Sequence, residues 1–545
     1  MTKAKSASAA RPKPWTEVAT HLVDVAMGRK PADLVIRNGR WVNVHSGEII
    51  PGTDIAIAAG RFAYCGPNAG HAIGQGTKVV DAGGRYLVPG LCDAHMHVES
   101  GMVTVTEFCR AVIPHGTTSM FIDPHEIANV LGLPGVRLMH DEAVAMPINV
   151  HVQMPSCVPS APGLEHAGAE LTVADVAEAM TWENIIGLGE VMNFPGVAAN
   201  NSVMSGEIAE TVKAGKTVGG HYASRDLGLP FHGYVAGGAE DDHEGTRAED
   251  AIARVRQGMK PVTAIQMATL NTAQHFRLER EIGSIAPGRL ADLLIVSDLA
   301  QMTIDEVYGR GVRLARAGKL EIDIPAYDYP PTAKNTVKLG KKLKAADFDI
   351  AAPQGANEVR ARVIGVIENQ APTRALEADL AVEDGLVAMD RRNDICQIAL
   401  VERHRGTGGI TNAFVSGFGY MEDCAMASSV AHDAHHIIVV GTNKQDMALA
   451  VNRLGEVGGG VVLYSKGKEL ALVEMPIAGL MSDERAEIVA TKAEQLTQAM
   501  RKVGCSLNNA YMQHSLLALV VIPELRISDV GLVDVTTFQK VDLFV

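Results

Sequence analysis

Between residues 86 and 282, short apolar segments that predict β-strands alternate with segments that predict helices. Strands that alternate with helices pair in parallel, because the chain returns across the face of the sheet as a helix. This stretch therefore predicts an α/β fold whose parallel sheet is open or closed into a (β/α)8-type barrel. The predicted strands are 119–122, 149–154, 185–189 and 216–219, and the predicted helices are 107–113, 135–145, 173–180 and 205–214.

The residues on both sides of this stretch predict two further domains. Short strands and glycine turns before and after it favour one small β-sandwich assembled from both flanks, with the barrel inserted between them. The run Tyr329-Pro330-Pro331 marks a change in composition, beyond which strands and helices mix again in a C-terminal α/β domain. The predicted domains are 1–85 together with 283–330, then 86–282, and then 331–545.

Two histidines separated by one residue, His95 and His97, follow the apolar segment 86–92 and its Pro-Gly turn. Side chains alternate between the faces of a strand, so residues two apart point the same way. The pair is therefore spaced to bind one metal ion. Histidines at this spacing are equally often surface or hydrogen-bonding residues, so the pair alone leaves both interpretations open.

Acidic residues and histidines recur where the later strands end, and in parallel barrels this edge carries the active site. Taken singly, His125 or Asp242 could cap a helix, and Glu190 could be a solvated loop acid. As a series they favour metal-assisted hydrolysis, because imidazole and carboxylate ligands suit zinc, manganese and ferrous iron. The series is Asp123, His125 and Glu126, then Glu190, then His221, and then Asp241-Asp242-His243-Glu244.

The ordered motifs resemble those of the amidohydrolase superfamily and, within it, the adenine deaminase family. The resemblance extends over nearly the whole chain, because the last third carries matching motifs as well. The segments that carry it are 89–100, 114–118, 123–130, 189–197, 242–244, 267–273, 369–373, 402–408, 431–436, 476–482 and 522–526.

The resemblance implies a binuclear metal centre. His95 and His97 would bind the first ion, Glu190 would bridge, and His221 and His243 would bind the second. The expected cofactor is a pair of divalent ions, Mn2+ or Fe2+, with Zn2+ as an alternative.

The implied reaction is hydrolytic deamination of adenine to hypoxanthine and ammonia, a step of purine salvage, by a hydroxide that two metal ions hold. The resemblance places His125 and Glu126 near the substrate, where one of them would move protons, and it adds His243 to the catalytic set.

The chain departs from this pattern inside the barrel. A complete eight-stranded barrel needs about 250 residues, and the interval 88–278 is shorter by roughly two strand–helix units. The family pattern expects strands 7 and 8 between Met259 and Lys260, and strand 8 would end in an aspartate that binds metal and moves a proton. We therefore predict a barrel that lacks these two strands, with reduced activity. The alternatives are an inactive relative that acts as a binding or assembly protein, and another cyclic amidohydrolase.

Charge and composition restrict the partners. A net charge of −14 argues against nucleic acid, and no apolar run reaches the ~20 residues of a membrane span. The seven cysteines are scattered, which favours a reducing compartment. We expect a cytoplasmic enzyme that acts on a small molecule, and a homodimer is compatible with the apolar C-terminal domain. Four histidines of that domain could be structural, cover the substrate pocket or bind another ion; they are His404, His432, His435 and His436.

Overall fold

A computed structural model of the protein describes residues 12–224, 227–242 and 260–545. The first strands form one sheet around the strand Leu34–Asn43, which pairs antiparallel with one neighbour and parallel with two others. A helix, Trp15–Ala26, packs against this sheet through Val18, Leu22 and Val25. The strands are β1 (Leu34–Asn43), β2 (Glu48–Ala58), β3 (Arg61–Gly66), β4 (Lys78–Asp81) and β5 (Tyr86–Pro89).

Five parallel strands follow, alternating with helices, as the sequence predicts. They are β6 (Leu91–Met96), β7 (Thr117–Ile122), β8 (Asn149–Met154), β9 (Ile185–Val191) and β10 (Thr217–Gly220), in the spatial order β10-β9-β8-β7-β6. Most residues of these strands are buried, because helices cover the sheet. The α/β fold and the parallel sheet are thus confirmed, and the described residues form part of a barrel wall rather than eight strands.

Helices connect and flank these parallel strands. Polar side chains cap the N-termini of several of these helices. Asn201, for example, accepts hydrogen bonds from the main-chain N–H groups of Val203 and Met204. The helices are Val105–Val112, His125–Leu131, Leu133–Val144, Val173–Ala179, Phe194–Ala198, Ser202–Lys213, Leu229–Ala236, Pro261–Gln266 and Thr272–His275, with a π-helical turn over Met267–Asn271.

Beyond β10 the chain continues along the edge of the parallel sheet. The N–H of Glu240 donates to the carbonyl of Val218 at 2.9 Å, and the N–H of Gly220 donates to the Asp241 carboxylate at 2.6 Å. Residues 240 and 241 therefore occupy the position next to β10, although they are not part of a strand.

The chain then returns to the first sheet, where the strand Leu293–Asp298 pairs antiparallel with β5. The returning strands are β11 (Leu293–Asp298), β12 (Thr303–Gly309), β13 (Val312–Arg316) and β14 (Lys319–Leu320), and the order along this nine-stranded sheet is β14-β13-β12-β11-β5-β1-β2-β3, with β4 beside β1. Strands from before and after the parallel sheet thus share one sheet.

The last third contains a second nine-stranded sheet and a small three-stranded one. The large sheet has the order β17-β16-β15-β19-β18-β21-β20-β22-β23. Its strands are β15 (Glu358–Val366), β16 (Thr373–Glu383), β17 (Leu386–Val387), β18 (Ile395–Val401), β19 (Ile410–Ser416), β20 (Cys424–Ser428), β21 (Ile437–Gly441), β22 (Gly460–Ser465) and β23 (Lys468–Glu474); the small sheet is β24 (Leu525–Ser528), β25 (Gly531–Asp534) and β26 (Gln539–Val541).

Three helices accompany these sheets, and they are Lys444–Val457, Ala486–Lys502 and Ala510–Ser515. The last third packs directly on the parallel-sheet region: the N–H of Ala486 donates to Glu107 at 3.1 Å, and His166 contacts Asp529 at 2.7 Å. Within the ranges that the structure describes, no helix combines the length and the apolar character that a membrane crossing needs.

Candidate metal centre

The parallel sheet brings histidines and acids together at the carboxyl ends of its strands. His95 lies near the end of β6 and His97 follows that strand directly. Glu190 lies near the end of β9, and His221 is the first residue after β10. Because parallel strands end at the same edge, side chains from three strands face one site.

The Glu190 carboxylate contacts histidines with both of its oxygens. Its Oε1 is 2.9 Å from His97 Nε2 and 3.8 Å from His95 Nε2, and its Oε2 contacts His221 Nδ1. The two Nε2 atoms of the His95–His97 pair are themselves 2.9 Å apart. One carboxylate oxygen thus faces the pair and the other faces His221, so this carboxylate could bridge two metal ions.

The ring of His97 is held in an orientation that suits metal binding. Its Nδ1 donates to the main-chain carbonyl of Asp123 at 3.1 Å, which leaves Nε2 to face Glu190. Burial alone would lower the pKa of His97, but the neighbouring Glu190 carboxylate raises this pKa to about 9. A divalent cation bound at Nε2 would take the place of that proton.

Two residues after β7 extend the centre. Asp123 is fully buried, and its Oδ2 accepts a hydrogen bond from the N–H of Glu190 at 3.0 Å. His125 Nδ1 lies 3.4 Å from Glu190 Oε1 and 3.7 Å from Asp123 Oδ1. Asp123, His125 and Glu190 therefore form a second group of candidate ligands around the same carboxylate.

Glu126 faces away from Glu190, toward the last third of the chain. Its carboxylate is 2.9 Å from His432 Nδ1 and also contacts His435 Nε2. His125 Nε2 lies 3.7 Å from the carboxylate of Asp433. The sequence motif 431–436 contains these residues, but it gives no indication that they meet the helix His125–Leu131, because the contact joins segments that are distant in sequence.

The other two histidines of the C-terminal region are structural. His404 Nε2 donates to the carbonyl of Ala434 at 2.7 Å, and His436 Nε2 donates to the carbonyl of His166 at 2.8 Å. Their rings pack against each other at 4.8 Å. Of the alternatives that the sequence leaves open, a structural role fits these two, whereas His432 and His435 contact the acid of the candidate site.

A cavity of about 320 Å³ opens at the metal centre. Its lining residues include His95, Gln153, Glu190, Asp241, Asp242 and His275. This volume lies within the range of small-molecule sites. A larger cavity of about 520 Å³ lies at the amino ends of the strands and contains none of the predicted ligands. The remaining predicted ligand, His243, lies outside the described residues.

Comparison with known proteins identifies two family models in the chain. The amidohydrolase family model matches residues 86–253 and 242–314, and the model of the adenine deaminase C-terminal domain matches residues 370–539. The two amidohydrolase segments overlap at residues 242–253, shortly before the point between Met259 and Lys260 where the sequence predicts that barrel strands are missing.

Curated relatives match over the whole length. A protein of Mesorhizobium japonicum named adenine deaminase is 84% identical, with 100% of each chain covered. A protein of Rhizobium meliloti named adenine deaminase 3 is 66% identical over 98% of this chain and 100% of its own. A Moorella thermoacetica protein named adenine deaminase is 43% identical over 97% of this chain and 99% of its own.

The comparison with the Mesorhizobium japonicum protein spans 605 positions, more than the 545 residues of this chain. Part of that alignment therefore has no counterpart here. None of the comparisons supports the reduced activity, the inactive relative or the other cyclic amidohydrolase that the sequence suggested. The predicted resemblance is confirmed, and the chain belongs to the adenine deaminase family.

Proposed function

We propose that this chain catalyses the hydrolytic deamination of adenine to hypoxanthine and ammonia, as a step of purine salvage. The names of the full-length relatives support the substrate. The observation that carries the proposal is the Glu190 carboxylate, because its two oxygens face His97 and His221 at the edge of a cavity.

The residues at this centre fit a pair of divalent ions, Mn2+ or Fe2+. Imidazole nitrogens and a carboxylate are the donors that these ions accept, and the Nδ1 of His97 is already committed to a carbonyl. His95, His97, Glu190 and His221 would hold the ions. When bound, they would polarise the substrate and lower the pKa of a water molecule.

The protein groups around the centre have separate tasks in this proposal. His125 presents Nδ1 toward Glu190, 3.4 Å away, and so can hold or pass a proton at the centre. Asp241 and Asp242 line the cavity, where their carboxylates can receive hydrogen bonds from an amino group. Glu126 is a positioning residue, because its contacts are with His125, His432 and His435.

Replacement of the bridging acid tests the proposal. With Mn2+ present, Glu190→Gln should lower the rate of ammonia release from adenine by at least ~10²-fold, because the carboxylate joins the ligands of both ions. The matched control is Glu170→Gln, an exposed acid, which should leave the rate unchanged. An E190Q protein that binds metal and deaminates adenine as fast as the E170Q protein would contradict the proposal.

A further inference from the structure

A second group of buried polar side chains lies on the far side of His125 from Glu190. His125 and Glu126 begin the helix His125–Leu131, and Asp433 lies in the turn that precedes β21. The three residues are 5%, 2% and 2% exposed. The group therefore joins the parallel-sheet region to the last third of the chain, away from solvent.

The separations within this group are those of metal ligands rather than of hydrogen bonds. His125 Nε2 lies 3.6 Å from Glu126 Oε1 and 3.7 Å from Asp433 Oδ1, and the three ligand atoms lie within 4.8 Å of one another. Hydrogen bonds of a charged imidazole to a carboxylate are about 2.7–2.9 Å long. Two ligand atoms bound tetrahedrally to one ion at about 2.1 Å lie about 3.4 Å apart.

His432 and His435 compensate the charge of Glu126 and lower its pKa. Asp433 is therefore the carboxylate that needs a positive partner. In the described part of the chain, every ion pair of Glu126 and Asp433 is with a histidine. The Oδ2 of Asp433 is buried without a hydrogen-bond partner among those residues. Buried carboxylates are unfavourable unless a cation or hydrogen bonds compensate them, and burial accordingly raises the pKa of Asp433.

The neighbouring histidines hold Glu126 in place through contacts with its carboxylate. The Nδ1 of His435 accepts a hydrogen bond from the N–H of Ala431 at 3.2 Å, so its proton is on Nε2, the atom that contacts Glu126. His432 Nδ1 contacts the same carboxylate at 2.9 Å. Hydrogen bonds of this kind orient carboxylate ligands of metal ions.

We infer that His125 Nε2, Glu126 Oε1 and Asp433 Oδ1 bind a divalent transition-metal cation, Zn2+, Mn2+ or Fe2+, in addition to the ions at Glu190. The donors are one imidazole and two carboxylates, a set that suits these ions. The cation neutralises the buried Asp433 carboxylate and ties the turn at Asp433 to the helix His125–Leu131. This site does not depend on the substrate of the enzyme.

Metal analysis of the full-length protein tests the inference. Wild type and variants are stripped with a chelator, loaded with Mn2+ or Zn2+, dialysed, and analysed by mass spectrometry for metal per chain. Asp433→Asn should bind one ion fewer than the wild type. Glu165→Gln should bind as many ions as the wild type, because Glu165 is a buried acid next to Asp433 that is hydrogen-bonded to Ser160 and Ala161.

A second variant keeps the test decisive if D433N does not fold. Glu190→Gln removes the carboxylate of the other centre, and this protein should still retain one ion that D433N/E190Q lacks. An E190Q protein that retains no ion, or a folded D433N protein with the wild-type metal content, would overturn the inference and assign the positive charge to a protonated His125.

Discussion

Glu190 is the residue on which the proposed metal centre depends most, because its oxygens face histidines from two different strands. The residue itself could be singled out from the sequence, since an acid after a predicted strand stands in a series with His95, His97 and His221. The sequence could not show which carboxylate oxygen faces which histidine ring, because this depends on the rotation of side chains from neighbouring strands.

Another single residue, Glu207, gives a prediction about stability. It is buried in the helix Ser202–Lys213, and neither of its carboxylate oxygens has a hydrogen-bond partner in the described ranges. Burial, with a smaller contribution from Asp175, raises the pKa of Glu207 from 4.5 to about 9. Between these two values the folded protein keeps the proton that the unfolded chain releases, so the folded protein loses stability as the pH rises from about 4.5 to about 9.

Glu207→Gln should therefore stabilise the protein at pH 8, by a few kcal/mol because one pKa unit corresponds to about 1.4 kcal/mol, and the gain should vanish near pH 4.5. Thermal unfolding at a series of pH values measures this. The control is Glu210→Gln on the same helix, whose pair with Lys213 contributes under about 1 kcal/mol. A gain for E207Q that does not change with pH would contradict the explanation.

At the scale of secondary structure, β7 to β10 are predictable because each is a run of mostly buried residues bounded by turns. The predicted strand 149–154 coincides with β8, and 119–122 lies within β7. The turn that carries Asp433 is not predictable as part of a site, because its partner His125 lies in a helix far away in the sequence. Only the tertiary packing brings the two elements together.

Two motifs of the last third each contain a buried arginine that holds neighbouring loops. Arg403 is fully buried, and its guanidinium donates to the carbonyls of His435 and Ala478 and to the Thr336 hydroxyl. Arg526 is likewise fully buried, and it donates to the carbonyls of Leu516 and Ala371. Both arginines fix loops, and Arg403 fixes the segment that presents Asp433.

Arg403→Lys should destabilise the protein by about 1–3 kcal/mol, because a single ammonium cannot reach all three acceptors and leaves a buried carbonyl unpaired. Urea unfolding measures the change. Arg405→Lys, at an exposed position two residues away, is the control and should alter the stability little. Equal stability of the two variants would show that the buried guanidinium is not what fixes these loops.

At the scale of the whole molecule, the last third of the chain completes the surroundings of the metal centre. The described parallel sheet has five strands, and residues 240 and 241 continue its edge beside β10. On the other side, Asp433 and His432 approach the helix that follows β7. One hydrophobic core includes residues from Val42 to Val535, so the three regions of the chain are packed as one body around the site.

We propose that this molecule deaminates adenine with divalent metal at Glu190. The most direct measurement is a titration of chelator-treated protein with Mn2+, in which hypoxanthine formation from adenine and bound metal per chain are followed together. We predict negligible turnover without metal and a rise to a plateau as the Glu190 centre fills, with no such rise for E190Q. Turnover that is independent of added metal, or a metal-filled protein that forms no hypoxanthine, would contradict it.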